Sequence, residues 1–81
     1  MAEPEQVFAF FQQTYRRVRG STRDVRRTDR LDEDLAIDSL LATELLVAIE
    51  DRYSVELMDD SRTWEVRTVG ELVDLVEAVR V

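Results

Sequence analysis

The stretch Leu35-Ala36-Ile37-Asp38-Ser39-Leu40-Leu41-Ala42-Thr43-Glu44-Leu45-Leu46-Val47-Ala48-Ile49-Glu50-Asp51-Arg52-Tyr53 decides how this chain is read. Its spacing predicts a helix starting near Asp38 or Ser39 and ending near Arg52 or Tyr53. Ala42, Leu45, Leu46, Ile49 and Tyr53 fall on one helical stripe, suited to a core. Leu40, Glu44, Val47 and Asp51 form another, with Leu41 beside it. This second stripe mixes apolar and acidic residues, as a docking surface does. Either Asp38 or Ser39 can cap the helix, because both carry an oxygen that accepts from free N–H groups. If Asp38 takes that role, the Ser39 hydroxyl is left free at the positive end of the helix dipole. A phosphate-linked group placed there would be stabilised by that field.

Working outward, three further apolar stretches appear. From about Glu3 to Arg19, Val7, Phe11, Tyr15 and Val18 recur at helical spacing, with Phe8, Phe10 and Thr14 beside them. Pro4 suits a first turn; Glu3 and Glu5 complement its dipole, as Arg16, Arg17 and Arg19 do at the other end. Gly20 stops this helix. Residues 21–37 read as a long ordered loop with room for one short helical turn, anchored by Val25, Leu31, Leu35 and Ile37. Loops of this length in small domains tend to be functional. Residues 59–66 have the length of a short helix, with Trp64 as a core or edge anchor. Thr68-Val69-Gly70-Glu71 reads as a capping box. It opens a last helix to about Arg80 with Val69, Leu72, Val73, Val76 and Val79 on one face. The expected fold is all-α: a small four-helix bundle of three main helices and one short one, in a single domain over residues 1–81.

Composition narrows the function. The chain has no Cys and no His. That excludes disulfides, Cys-based metal sites and Ser-His-Asp catalysis, and weighs against an enzyme. Asp32-Glu33-Asp34 with Asp38 lacks the spacing and Gly of a calcium loop, so no metal is expected. Residues 1–30 carry a formal charge of +3 and residues 31–81 carry −10, for a net −7. The acidic half repels nucleic acid and favours basic partners. The arginines between Arg16 and Arg30 lack interleaved aromatics and are diluted by Asp24 and Asp29; they read as a salt-bridged loop or a contact for a dedicated partner. No signal peptide or membrane-length apolar run is seen, so a cytoplasmic monomer off the membrane is expected.

The segment Leu35–Leu45, with Asp38-Ser39-Leu40 opening a helix and Glu44-Leu45 following, resembles the modification motif of acyl carrier proteins. Ile49-Glu50-Asp51-Arg52-Tyr53-Ser54-Val55-Glu56-Leu57 is similar to that family's helix end and turn. Thr68-Val69-Gly70-Glu71-Leu72 is similar to the start of its last helix. The resemblance spans roughly residues 4 to 80. It implies that Ser39 carries 4′-phosphopantetheine, donated by coenzyme A through a magnesium-dependent phosphopantetheinyl transferase. It also implies that the arm's thiol holds acyl groups as thioesters. The partner surface it implies is Asp38, Leu40, Leu41, Thr43, Glu44, Val47, Glu50 and Asp51. The partners it implies are a ketosynthase, an acyltransferase or an acyl-activating ligase. Ala36 stands where the family usually has Gly, and a backbone that Ala tolerates is expected there. Leu41 replaces an acidic residue frequent in fatty-acid carriers, and Met58 replaces a turn Pro. These departures and the arginine-rich loop lean toward polyketide or related natural-product (antibiotic-type) assembly. A fatty-acid or aminoacyl/peptidyl carrier, or an unmodified helical interaction module, is the alternative. Leu46, Leu57, Trp64 and Val76 are the residues expected to set the depth of any acyl pocket.

Overall fold

The computed structural model describes residues 4–80; the expected roles of Glu3 lie outside the described residues. Three α-helices and one 3-10 helix follow in order: α1 (Pro4–Arg19), α2 (Ser39–Tyr53), a 3-10 helix (Ser61–Glu65) and α3 (Val69–Val79). This is the all-α bundle expected, with the long loop between α1 and α2.

Helix α1 buries Val7, Phe11, Thr14 and Tyr15. Val18, expected on the same stripe, is 37% exposed because the stripe passes beyond the core at the last turn. Gly20 adopts φ 64°, and the Ser21 N–H donates to the Arg16 carbonyl at 3.0 Å. This left-handed closure satisfies an orphan carbonyl and turns the chain. Helix α1 packs against both α2 and α3, and α3 also meets the 3-10 helix. Helix α3 buries Val69, Leu72, Val73 and Val76 as expected, and Leu75 besides. Its start is a complete capping box: Thr68 Oγ1 accepts from the Glu71 N–H, and Glu71 Oε1 accepts from the Thr68 N–H. Two backbone N–H groups, those of Arg67 and Thr68, hold the Glu71 carboxyl below its ordinary pKa.

The loop between α1 and α2 is tied down at both sides. Val25 and Leu35 are buried, and Leu31 and Ile37 pack against the core. The N–H groups of Asp34 and Leu35 both donate to the Arg30 carbonyl, making one helix-like turn. On the far side the loop is stitched to the start of α3. Leu31 N–H donates to Arg67 C=O, Val69 N–H to Asp29 C=O and Gly70 N–H to Arg27 C=O, at 2.9–3.0 Å. Gly70 permits that approach, since a Cβ there would lie 3.2 Å from the Arg27 carbonyl oxygen. Four arginines at the end of α1 and in this loop are tied into ion pairs, as a salt-bridged loop would have: Arg16–Asp24, Arg23–Asp29, Arg27–Asp74, and Arg30 with Asp32 and Glu33. Arg23 also donates to the Asp34 carbonyl. Asp32 Oδ1 accepts from the Glu33 N–H and Asp34 Oδ2 from the Arg30 N–H, so these carboxylates serve the turn itself.

Candidate functional site

The start of α2 is fixed from behind. Tyr15, buried and stacked on Phe11, donates its hydroxyl to the Leu35 carbonyl at 2.9 Å. Ala36 follows with φ 52°, a left-handed conformation that costs an L-residue roughly 1–2 kcal/mol. This corrects the expectation that Ala36 sits in a conformation it tolerates: the turn into the helix needs positive φ, which Gly would adopt freely. Asp38 is then the N-cap. Its carboxylate accepts from the Leu41 N–H at 2.9 Å, and its carbonyl accepts the first helical bond from Ala42.

With the cap role filled by Asp38, Ser39 is exposed, and its hydroxyl makes no hydrogen bond among the described residues. Only its carbonyl is engaged, accepting from the Thr43 hydroxyl at 2.9 Å. A free primary hydroxyl thus stands at the N-terminus of a 15-residue helix, where N–H groups and the dipole favour an attached phosphodiester. The residues present fit a phosphate-linked prosthetic group.

Down α2, Leu40, Thr43, Glu44, Val47 and Asp51 share one face at 3.6 residues per turn, and all are exposed. Leu40 is 71% exposed and Val47 43%. Neither Glu44 nor Asp51 is in an ion pair among the described residues. The surface therefore combines open apolar side chains with free carboxylates, next to Ser39 and the exposed Asp38. Two expected members do not belong. Leu41 is only 6% exposed and lies in the core, because its position on α2 turns inward rather than outward. Glu50 is half-buried, and its Oε2 accepts from the Leu57 and Met58 N–H groups at 2.7 and 3.0 Å. It is a clamp for the turn after α2, which closes through left-handed Ser54.

Ser39, Ala42 and Leu46, spaced i, i+3 and i+7, lead down a neighbouring side of α2. There a cavity of about 180 Å³ opens between α2, the end of the long loop, the 3-10 helix and α3. Its apolar walls include Phe11, Ile37, Ala42, Leu45, Leu46 and Leu72. Buried Thr63 also lines it, with its hydroxyl donated to the Leu57 carbonyl at 2.7 Å. Exposed Asp32, Trp64 and Arg67 form its rim. Of the residues expected to shape such a pocket, Leu46 and Trp64 line it. Leu57 and Val76 are fully buried and do not. Trp64 is 57% exposed and held by one hydrogen bond from its Nε1 to the Met58 carbonyl, so it anchors an edge and not the core. Most of the other lining residues read in the sequence as core or loop anchors and not as pocket walls, since apolar wall residues look like any other core residues before the elements are placed.

Residues 12–76 match the family described as "Phosphopantetheine attachment site". A 56-residue stretch is 34% identical to an acyl carrier protein of Sulfurovum sp. (strain NBC37-1), covering 69% of this chain and 73% of that one. A mitochondrial acyl carrier protein of Saccharomyces cerevisiae is 38% identical over 56 residues, 69% of this chain and 44% of the yeast protein. Among solved structures, an acyl carrier protein of Thermotoga maritima superposes with a TM-score of 0.79, covering 94% of this chain and 88% of that one. At 22% identity that likeness shows the shared fold. By the match over residues 12–76 and the Sulfurovum relative, the chain belongs to the phosphopantetheine-attachment family of acyl carrier proteins.

Proposed function

We propose that Ser39 is the attachment point of the 4′-phosphopantetheine that this family carries covalently, and that residues 1–81 act as one carrier domain. The observation that supports it is the division of labour at the start of α2: Asp38 caps the helix, leaving the Ser39 hydroxyl exposed and unengaged. In the attachment step the Ser39 Oγ–H gives up its proton, and Oγ bonds to the pantetheine-bearing phosphorus of coenzyme A. The bond from that phosphorus to the rest of the diphosphate breaks, and adenosine 3′,5′-bisphosphate leaves. A separate transferase performs this exchange; the carrier supplies the hydroxyl and the surface that presents it. The arm's thiol then holds acyl groups as thioesters and raises their effective concentration at each partner active site. The carrier itself performs no catalysis and works in the cytoplasm.

Leu41 supports a natural-product assembly role, with ketosynthase, acyltransferase or acyl-activating ligase as partners. Fatty-acid carriers resemble this chain but frequently have an acid at that position, and here it is a core residue. Mass analysis of the acyl group on the arm, after purification from the native host, separates these pathways: an ordinary fatty-acyl intermediate would sink the natural-product reading. The attachment site is tested by intact mass after co-expression with a broad-specificity transferase. Wild type is expected to gain one phosphopantetheine and Ser39→Ala none. Equal gain in the variant, or no gain in either, would refute the assignment.

A further inference from the structure

Arg17, Arg19 and Arg26 are exposed and make no ion pair and no side-chain hydrogen bond among the described residues, although the chain has eighteen acidic residues. The dipole of α1 favours cations at Arg17 and Arg19, but Arg26 lies in the loop beyond its reach. The three share one end of the bundle. Gln12, Arg16 and Arg19, spaced i, i+4 and i+7, lie on one side of α1. The loop runs back along that side, with Arg16 paired to Asp24 at 2.6 Å and the Val25 N–H donating to Gln12 Oε1 at 3.0 Å, so Arg26 emerges beside it. Val18, 37% exposed, stands between Arg17 and Arg19. This end is also the Ser39 end. Tyr15 donates to the Leu35 carbonyl just ahead of α2, whereas Phe10 meets Tyr53 edge-on at the close of α2, with ring centroids 5.8 Å apart. Helices α1 and α2 are therefore antiparallel, and the last turn of α1 stands beside the first turn of α2.

We propose that Arg17, Val18, Arg19 and Arg26 form a second interaction surface, which docks on a carboxylate-bearing and partly apolar patch of a partner protein. Charge complementarity selects that partner. A guanidinium binds a carboxylate through paired N–H groups and is a frequent interface anchor, and the exposed Val18 gives the contact an apolar centre. A nucleic acid or an anionic membrane spreads its negative charge widely, and the acidic α2 face and the net charge of −7 oppose so broad a field. A protein can confine its carboxylates to one patch. The inference rests on the carrier reading above and deepens it: a partner that receives the arm from Ser39 meets two surfaces, one basic and one acidic. Its footprint must carry the two opposite signs in the matching order, which fixes how the carrier sits and rejects enzymes with a uniformly basic mouth.

The test titrates isotope-labelled protein at low salt and follows its NMR signals. The probes are a capped peptide of repeating Glu-Glu-Leu, its Glu-Glu-Ser counterpart of equal charge, and inorganic tripolyphosphate. With Glu-Glu-Leu, the amides of Arg17, Val18, Arg19 and Arg26 and the Val18 methyl groups should move, while the amides of Glu44 and Asp51 stay. Glu-Glu-Ser and tripolyphosphate should bind several-fold more weakly. The triple variant Arg17→Glu, Arg19→Glu, Arg26→Glu should weaken Glu-Glu-Leu about tenfold, the combined effect of three exposed ion pairs. Val18→Ser should bring Glu-Glu-Leu down to the Glu-Glu-Ser level. The reversal breaks no ion pair within the described residues, and the matching triple Gln variant takes its place if the Glu variant fails to fold. Signals that move evenly over the molecule, or that move as much in the triple variant, would overturn the surface. Equal binding of the three probes would mark a general anion surface and overturn the protein partner. Intact mass decides the carrier reading separately. Protein that takes the arm but shows no localised response overturns the docking surface alone; protein that responds but never takes the arm overturns its use in delivery.

Discussion

Ala36 holds φ 52° two residues before the helix cap, with Leu35 pinned by Tyr15 on its other side. The conformation is imposed by its neighbours, since an alanine gains nothing from it. Ala36→Gly relieves the strain but adds freedom to the unfolded chain, and the two effects partly offset. The expected net result is stabilisation by about 1 kcal/mol, a rise in melting temperature of about 4 °C or more for a domain of this size. Thermal denaturation followed by circular dichroism measures it, and a lower melting temperature would contradict the strain. The tether proposed for Ser39 was legible only together with its surroundings. Whether Asp38 or Ser39 capped the helix was undecidable from residue type, because both are good caps. Backbone geometry also hid the state of Ala36, whose side chain says nothing about the sign of φ.

At the scale of elements, the caps and stripes of α1, α2 and α3 were readable because each rests on local spacing. The Thr68–Glu71 box is the clearest case. What spacing cannot show is a side chain reaching across a turn, as Glu50 does to Leu57 and Met58, or which shoulder of α2 turns inward at Leu41. The capping box carries a pH signature. Since the folded carboxyl of Glu71 is held below its ordinary value, its contribution is fully present above the unfolded pKa of about 4.3. It is lost as pH falls through the lowered folded value. Wild type should therefore lose more melting temperature between neutral and strongly acidic pH than Glu71→Gln does. Parallel losses in the two proteins would show that the box makes no pH-dependent contribution.

For the whole molecule, charge is separated by use. Four of the seven arginines before residue 31 are spent on ion pairs within the loop and to α3. The free carboxylates Glu44 and Asp51 sit with Leu40 and Val47 on the open face of α2. On the proposed carrier reading, such a surface would attract basic partners during approach and release them afterwards, because exposed charges govern encounter more than retention. Glu44→Arg with Asp51→Arg should slow loading by the transferase about tenfold at low salt, with the gap closing as salt screens the field. Rapid-quench loading kinetics measure it; equal rates at low salt would remove this face from recognition. No helix among the described residues is long and apolar enough to cross a membrane.

The stitch between residues 27–31 and 67–70 encloses α2 and the cavity in a ring of about forty residues. Closing a flexible ring of that size costs on the order of 3 kcal/mol in chain entropy. Its three backbone hydrogen bonds return about 1 kcal/mol each, so alone they roughly break even. The ring is therefore not held shut by the stitch alone: in the folded chain the packing of α1 on α3 supplies the rest of what keeps its ends together.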